Sequence, residues 1–236
     1  MTDSTVVQDG IRRQAARARW AVGLLAVACV VDVAAVLSDL GQASLLRGAV
    51  EGVEITTAAA EANDARQQAM AGLQFLLLVP TAIVFLMWLH RAYANLGDVG
   101  ARVTRFSPGW AVGYWFIPVA NLIRPYQVVK EAWQRSESMN ASESTDTAPS
   151  SPVVGLWWMA FIGSGALGRV FAARLSSADT VEALLSASWW VVAADASSAV
   201  SAVLAILVVR GIDRRQRRMV DVSAAPGPSP APSGAA

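Results

Sequence analysis

The chain has 236 residues, of which 54% are hydrophobic and only 16% are charged. Soluble domains usually carry about 25% charged residues, so this composition predicts an integral membrane protein. A single cysteine and a single histidine exclude an intrachain disulfide and a metal site built from several Cys and His ligands. No catalytic, phosphate-binding or nucleic-acid-binding motif occurs, so we expect no catalytic residues, no cofactor and no nucleic-acid partner.

Four apolar segments dominate the chain, and each approaches the ~20 residues that a helix needs to cross a hydrocarbon core. We therefore predict an all-α fold, a polytopic membrane helix bundle with four transmembrane helices. The apolar run of the first segment exceeds the core of a signal peptide, which favours a retained anchor. The spans are predicted at about residues 20–40, 70–90, 153–173 and 187–210.

The remaining segments lie around a membrane domain that we place at residues 20–222. A basic N-terminus, residues 1–19, precedes it, and a low-complexity tail, residues 223–236, follows it. Residues 136–152 form a linker rich in Ser, Thr and acidic residues, without apolar periodicity. Such compositions are typical of disorder, because they cannot bury enough apolar surface to offset the entropy of ordering.

Basic residues are distributed unevenly along the chain. They cluster before the first span, between the second and third spans and after the last span, while the first connecting loop carries Glu51, Glu54, Glu61 and Asp64. Positively charged flanks remain on the cytoplasmic side of a membrane. Both termini are therefore predicted to be cytoplasmic, and the acidic loop is predicted to lie outside.

Residues 108–134 begin as an apolar run and end as an amphipathic one. The apolar part, residues 110–123, would extend over about 21 Å as a helix, which is less than a ~30 Å hydrocarbon core. Pro118 interrupts it, and Pro125 suits the first turn of a following helix. Because basic residues flank both ends, we predict a Pro-broken re-entrant or interfacial segment that returns to the cytoplasmic side. The alternative is a short, kinked fifth span.

Polar side chains inside predicted spans are costly and mark candidate sites. Asp32, Arg169 and Asp195 occur within spans, and Gln74 lies at a similar depth. All four fall in the outer half of the membrane, so we predict that they form one intramembrane polar cluster. Two interpretations remain open. The cluster is either a proton, ion or small-ligand site, or a structural network in which Arg169 pairs with the aspartates.

A second candidate site is predicted at the cytoplasmic level of the membrane. The end of the second span places a tryptophan, an arginine and an asparagine on one helix face, with spacing i, i+3, i+7. Arginines beside a polar, aromatic interface can bind lipid phosphates, although topology signals and helix caps would explain the same charges. The candidate residues are Trp88, Arg91, Asn95, Asn121, Arg124 and Tyr126.

The same region carries two motifs, WLHRAYANL at residues 88–96 and FSPGWAVGYWFIPVANLIRPYQVVKEAW at residues 106–133. In these motifs the chain resembles the domain of unknown function 4328 family of bacterial, mainly actinobacterial, membrane proteins. The resemblance implies a multi-pass protein of the bacterial plasma membrane. It implies no activity and no catalytic residues.

Together these patterns favour a non-enzymatic, membrane-embedded binding or scaffolding module. Its cytoplasmic face would engage anionic lipid headgroups, a protein partner or a second copy of the chain in a homo-oligomer. The alternative is a small transporter or channel-like protein that uses the outer polar cluster.

Overall fold

The computed structural model describes residues 2–98, 104–141 and 152–224. These residues form six α-helices and contain no strand. Most of the predicted linker and almost all of the predicted tail lie outside the described residues, although the fourth helix continues to Ala141. The helices are α1 (Thr2–Val50), α2 (Thr57–Asp98), α3 (Pro108–Gly113), α4 (Arg124–Ala141), α5 (Pro152–Ser176) and α6 (Val181–Ala224), with 3₁₀ turns at Tyr114–Phe116 and Ala120–Leu122.

Four of these helices are long and apolar enough to cross a membrane, which confirms the predicted helix bundle. Three of them extend well beyond the predicted spans. The 49 residues of α1 rise over about 74 Å, more than twice the thickness of a hydrocarbon core. The candidate spanning stretches are Gln14–Val50, Thr57–Gly97, Pro152–Ser176 and Val181–Arg218.

The four long helices are packed in the order α2, α1, α6, α5. Helix α1 contacts both α2 and α6, and α5 contacts α6. We call the end of the bundle that carries Gln14 and Gln216 the terminal end. The opposite end, where residues 51–56 and 177–180 connect the helices, is the loop end.

The antiparallel pair α1–α6 keeps one register along its whole length. Gln14 Nε2 donates to Gln216 Oε1 at 2.6 Å, and Ser198 Oγ donates to Asp32 Oδ2 at 2.8 Å. Near the loop end, Gln42 Nε2 donates to Ser188 Oγ at 3.4 Å. In each of these three pairs the two residue numbers add up to 230. The two helices therefore pack without an insertion or slip between them.

Small side chains allow α1 and α6 to pack closely along their interface, which we call the seam. Along α1 the seam positions alternate between spacings of four and three residues, which is the repeat of coiled-coil packing. Alanines occupy several of these positions, and small residues allow helix backbones to approach closely within a membrane. The buried alanines of the seam include Ala18, Ala21 and Ala35 on α1 and Ala202 and Ala205 on α6.

A buried polar network ties four helices together at the terminal end. Asn95 Nδ2 of α2 donates to Gln14 Oε1 of α1, and Gln14 Nε2 in turn donates to Gln216 Oε1 of α6. Gln216 Nε2 donates to the carbonyl of Ala92 at 2.9 Å and to Ser136 Oγ of α4 at 3.2 Å. The network satisfies side-chain amides that would be costly to bury without partners.

The segment from Phe106 to Arg124, which we call the hairpin, enters and leaves the bundle at one level. The Arg124 guanidinium lies 5.9 Å from the centre of the Phe106 ring, so the two ends of the hairpin meet. Its helix α3 has only six residues and cannot span a membrane. Large apolar side chains at its tip, such as Phe116 (73% exposed) and Val119 (79% exposed), face outward. This confirms a segment that returns rather than a fifth span.

The hairpin fills the space between α2 and α5 in the terminal half of the bundle. The Trp115 ring packs edge-on against Phe85 of α2 at 5.7 Å and against Trp158 of α5 at 5.9 Å. Trp158 Nε1 donates to the Leu122 carbonyl at 3.1 Å. The hairpin thereby joins two helices that lie at opposite ends of the row.

The amphipathic helix α4 docks over a glycine of α6. A Cβ atom added to Gly211 would lie 2.6 Å from Trp133 Cη2, and the Arg215 guanidinium covers the same ring at 3.9 Å. Trp133 is buried, so it has little room to move away.

We expect Gly211→Ala to destabilise the purified protein, because the added methyl group would displace Trp133 at a cost of roughly 1–3 kcal/mol. Gly155→Ala on α5 is the matched control, since no described group outside its own stretch of helix lies within 4 Å of its added Cβ. Helix propensity favours alanine by about 1 kcal/mol at both positions. Thermal unfolding in detergent checks the prediction, and equal stability of the two variants would contradict the close packing of α4 on α6.

Candidate functional site

A cavity of about 420 Å³ lies between the four long helices at the loop end. Seam residues of α1 and α6 line its inner wall, including Asp39 and Asp195. Side chains of α2 and α5, such as Gln67 and Phe171, line its flanks. The hairpin contributes no lining residue. The space that the hairpin fills near the terminal end is therefore left open at the loop end.

Three of the four residues predicted to form the intramembrane cluster come together. Gln74 Nε2 of α2 donates to Asp32 Oδ1 of α1 at 3.2 Å and to Asp195 Oδ1 of α6 at 3.1 Å. Ser198 adds a donor to the other oxygen of Asp32 at 2.8 Å. One glutamine thus bridges two carboxyl groups from neighbouring helices.

A third carboxyl group, that of Asp39, belongs to the same cluster and was not predicted. Asp39 is only 4% exposed, and its carboxyl group lies close enough to Asp195 and Gln67 to interact with both. Its second oxygen, Oδ2, is buried without a hydrogen-bond partner although the residue lines the cavity. Two carboxyl groups so close together favour a shared proton or a cation, because two bare negative charges repel.

Basic side chains offset these acids only weakly. Arg66 of α2 is close enough to attract Asp39, but its guanidinium bonds to Ser38 Oγ at 2.9 Å and to Asn63 Oδ1 at 2.6 Å. Within the described ranges, neither Asp32, Asp39 nor Asp195 has a basic nitrogen within 4.0 Å. The cluster therefore concentrates carboxyl groups without a matching number of paired bases.

Arg169 is the predicted member that the structure places elsewhere. Its side chain is exposed, and Nη1 donates to the Gly165 carbonyl of its own helix at 3.3 Å. The face of α5 that meets α6 carries Ala160 and Gly163, which contact Ser197. Residue 169 lies on a different face, so the prediction that Arg169 joins the aspartates is wrong.

The second predicted site, at the terminal end, is only partly assembled. Trp88 is fully buried and Asn95 is 3% exposed, so neither is available to a lipid headgroup. Their helix face points into the bundle, where Trp88 contacts Phe85 and Asn95 donates to Gln14. The prediction that Trp88 and Asn95 bind lipid is therefore wrong.

The other candidates at this end lie nearer the surface. The guanidinium of Arg124 lies 5.8 Å from the centre of the Tyr114 ring and donates to Gln127 Oε1 at 3.1 Å. Tyr126 contacts Lys130, whose Nζ is 5.9 Å from the ring centre. Arg91 and Asn121 are half-buried. Asn121 closes the hairpin turn through its backbone, since its N–H donates to the Ile117 carbonyl at 2.7 Å.

We expect opposite effects from two substitutions in the cluster. Gln74→Leu removes the donor that two carboxyl groups share and should cost roughly 1–3 kcal/mol of unfolding free energy. Asp39→Asn removes a buried charge and supplies an amide that can donate to Asp195, so stability should be unchanged or higher. Arg169→Leu should have little effect, since it lies outside the cluster.

Thermal unfolding of the three purified variants in detergent, without added ligand, distinguishes these cases. A large loss in Asp39→Asn would contradict a surplus of buried acid. A large loss in Arg169→Leu would show that the arginine stabilises the cluster after all.

A family model described as "Domain of unknown function (DUF4328)" matches residues 51–214. This range includes α2 through most of α6 and leaves out α1, which supplies Asp32 and Asp39. No curated protein and no solved structure matches the chain.

Proposed function

Since the chain belongs to the DUF4328 family of domains of unknown function, we propose its function from the site itself. We propose a non-enzymatic membrane protein that binds a cationic ligand in the cavity at the loop end. One observation carries the proposal: Asp39 Oδ2 is buried without a partner at the wall of a cavity. This favours the outer polar cluster over the terminal-end site as the principal binding site.

The energetics of buried charge support a cation as the ligand. A carboxylate taken out of water loses several kcal/mol of hydration unless a partner compensates for it. Gln74 and Ser198 supply neutral donors, but among the described residues no base pairs with the three aspartates. A bound cation would supply the missing charge and would be held more tightly than at an exposed acid, because the surroundings are apolar.

The direction of access follows from the charge distribution. The loop end carries Glu51 and Glu54 in its first connection, whereas arginines such as Arg17 and Arg214 lie near the terminal end. Positive residues favour the cytoplasmic side, so we propose that the loop end faces outside. A cation would then enter the cavity from the external medium.

Cation-dependent stability tests the proposal. A ligand that binds only the folded state raises its stability by RT ln(1 + [L]/Kd). We expect at least one chloride salt from a panel of sodium, potassium, calcium, ammonium and benzylammonium to raise the unfolding temperature of the wild type. Asp39→Asn should lose this rise. Because ionic strength affects both proteins alike, comparing them also removes its general effect on the unfolding temperature.

Glu61→Gln is the matched control, because Glu61 is an exposed acid of α2 that does not line the cavity. It should keep the full cation-dependent rise. If no salt distinguishes the wild type from Asp39→Asn, the cavity does not bind a cation and the proposal fails.

Binding of anionic lipid at the hairpin is a second candidate function. The guanidinium groups of Arg105 and Arg124 lie 5.5 and 5.9 Å from the same Phe106 ring. The two charges thus lie together at the base of a hairpin whose tip exposes apolar side chains. Apolar groups that enter the acyl region below a pair of arginines would place those arginines beside lipid phosphates.

We expect Arg124→Gln to reduce several-fold the phosphatidylglycerol that remains bound to the purified protein in native mass spectra. Arg214→Gln, which removes an exposed arginine of α6 away from the hairpin, should leave lipid retention unchanged. Equal retention in both variants would mean that the hairpin arginines do not bind the lipid.

A further inference from the structure

The cavity at the loop end has two chemically different sides. Asp39 and Asp195 present carboxyl groups from the α1–α6 seam. Phe171 and Leu175 of α5 and Met70 of α2 present apolar side chains. The carboxyl groups of the cluster therefore lie on the seam side, α5 contributes only apolar side chains, and α2 adds polar ones such as the exposed Asp64 and Gln68.

Acidic and apolar side chains also lie next to each other along the seam itself. Asp39 on α1 lies opposite Val191 on α6, since their numbers also add up to 230. Asp195 lies one helical turn after Val191, so the apolar side chain of Val191 lies beside both acids, which together form what we call the acidic wall. A ligand in contact with Asp39 would meet carboxyl groups and hydrocarbon within a few ångströms.

The volume of the cavity is that of a small-molecule site. About 420 Å³ falls within the range of roughly 300–1,000 Å³ that is typical of small-molecule sites. Such sites are mostly apolar and contain a few polar groups that fix the orientation of the ligand. An inorganic ion would occupy only a small part of this space and would make no use of Phe171 or Leu175.

We propose that the ligand is a small amphipathic organic amine. Its ammonium group would contact Asp39 and Asp195, and its apolar body would pack against Phe171 and Leu175. The inference rests on the proposed function, because it names the chemical class of the cation that the same cavity binds. Each ammonium N–H can donate a charge-assisted hydrogen bond, and Asp39 Oδ2 is an acceptor without a donor.

Two probes of the same shape separate charge from hydrophobicity. Benzylammonium carries an ammonium group on an aromatic ring, and benzyl alcohol replaces the ammonium by a neutral hydroxyl. Binding of each to the purified wild type is measured by isothermal titration in detergent, with sodium chloride as the inorganic probe. We expect benzylammonium to bind at least tenfold more tightly than either benzyl alcohol or sodium.

Two variants assign the contributions of the two walls. Asp39→Asn should reduce the affinity for benzylammonium to that for benzyl alcohol. Phe171→Ala should weaken benzylammonium several-fold and leave any sodium binding unchanged. Leu156→Ala is the matched control for Phe171→Ala, because Leu156 is an exposed apolar residue of α5 outside the cavity. It should bind benzylammonium like the wild type.

The outcomes distinguish this inference from the proposed function. If sodium binds in an Asp39-dependent manner and benzylammonium does not bind better, the cavity is a cation site but its ligand is not an amphipathic amine. If benzyl alcohol binds as tightly as benzylammonium, the acidic wall does not select charge and the inference fails. If no probe binds, both the inference and the proposed function are overturned.

Discussion

The register of the α1–α6 pair is the constraint on which the rest of the structure depends. Hydrogen bonds between side chains fix it near both ends and in the middle, and the small seam residues between them let the two helices approach closely. A slip of one residue would separate every one of these polar pairs. The same register brings Asp39 and Asp195 together, so the acidic wall is a consequence of how the two central helices pack.

The packing order of the helices explains why a cavity exists at all. Helices α2 and α5 lie on either side of the central pair and must be separated by some other element or by open space. Trp115 of the hairpin fills that space in the terminal half, where it contacts Phe85 and Trp158. In the part of the chain that the structure describes, no comparable element fills the loop half, and the acids line the space that remains. A buried acidic cluster lowers stability, which is the usual compromise between a binding site and a well-packed core.

Much of this fold could be predicted from the sequence. Hydropathy identified four spans, because apolar runs of spanning length are unambiguous in a chain with so few charges. Pro118 and the flanking basic residues indicated a segment that returns, and the contact between Arg124 and Phe106 confirms it. The convergence of Asp32, Gln74 and Asp195 followed from their similar depth in three spans.

The incorrect predictions share one physical cause. The depth of a residue in its span and its spacing along the helix do not reveal which way that helix face points. Arg169 has the expected depth but lies on a face of α5 turned away from α6. Trp88 and Asn95 share a face as predicted, but that face is buried in the bundle, where Asn95 donates to Gln14 of α1. Asp39 was missed although the predicted span 20–40 includes it, because it lies just beyond the apolar run that ends at Leu37. Its spacing of seven residues from Asp32 placed it on the same seam and could have identified it.

The most direct test measures access to Asp39 and Asp195 in the cavity from the loop end. In a Cys29→Ser background, Val191→Cys places a thiol opposite Asp39, and Ala202→Cys places one in the buried seam as a control. Two membrane-impermeant methanethiosulfonate reagents, one cationic and one anionic, are applied to the outside of intact cells. If the cavity is open at the loop end, Val191→Cys reacts and Ala202→Cys does not. After each rate is corrected for the reagent's rate with a free thiol, the cationic reagent should react with Val191→Cys about tenfold faster than the anionic reagent, or more. A protected Val191→Cys, or equal corrected rates for the two reagents, would contradict an acidic cavity that is open at the loop end.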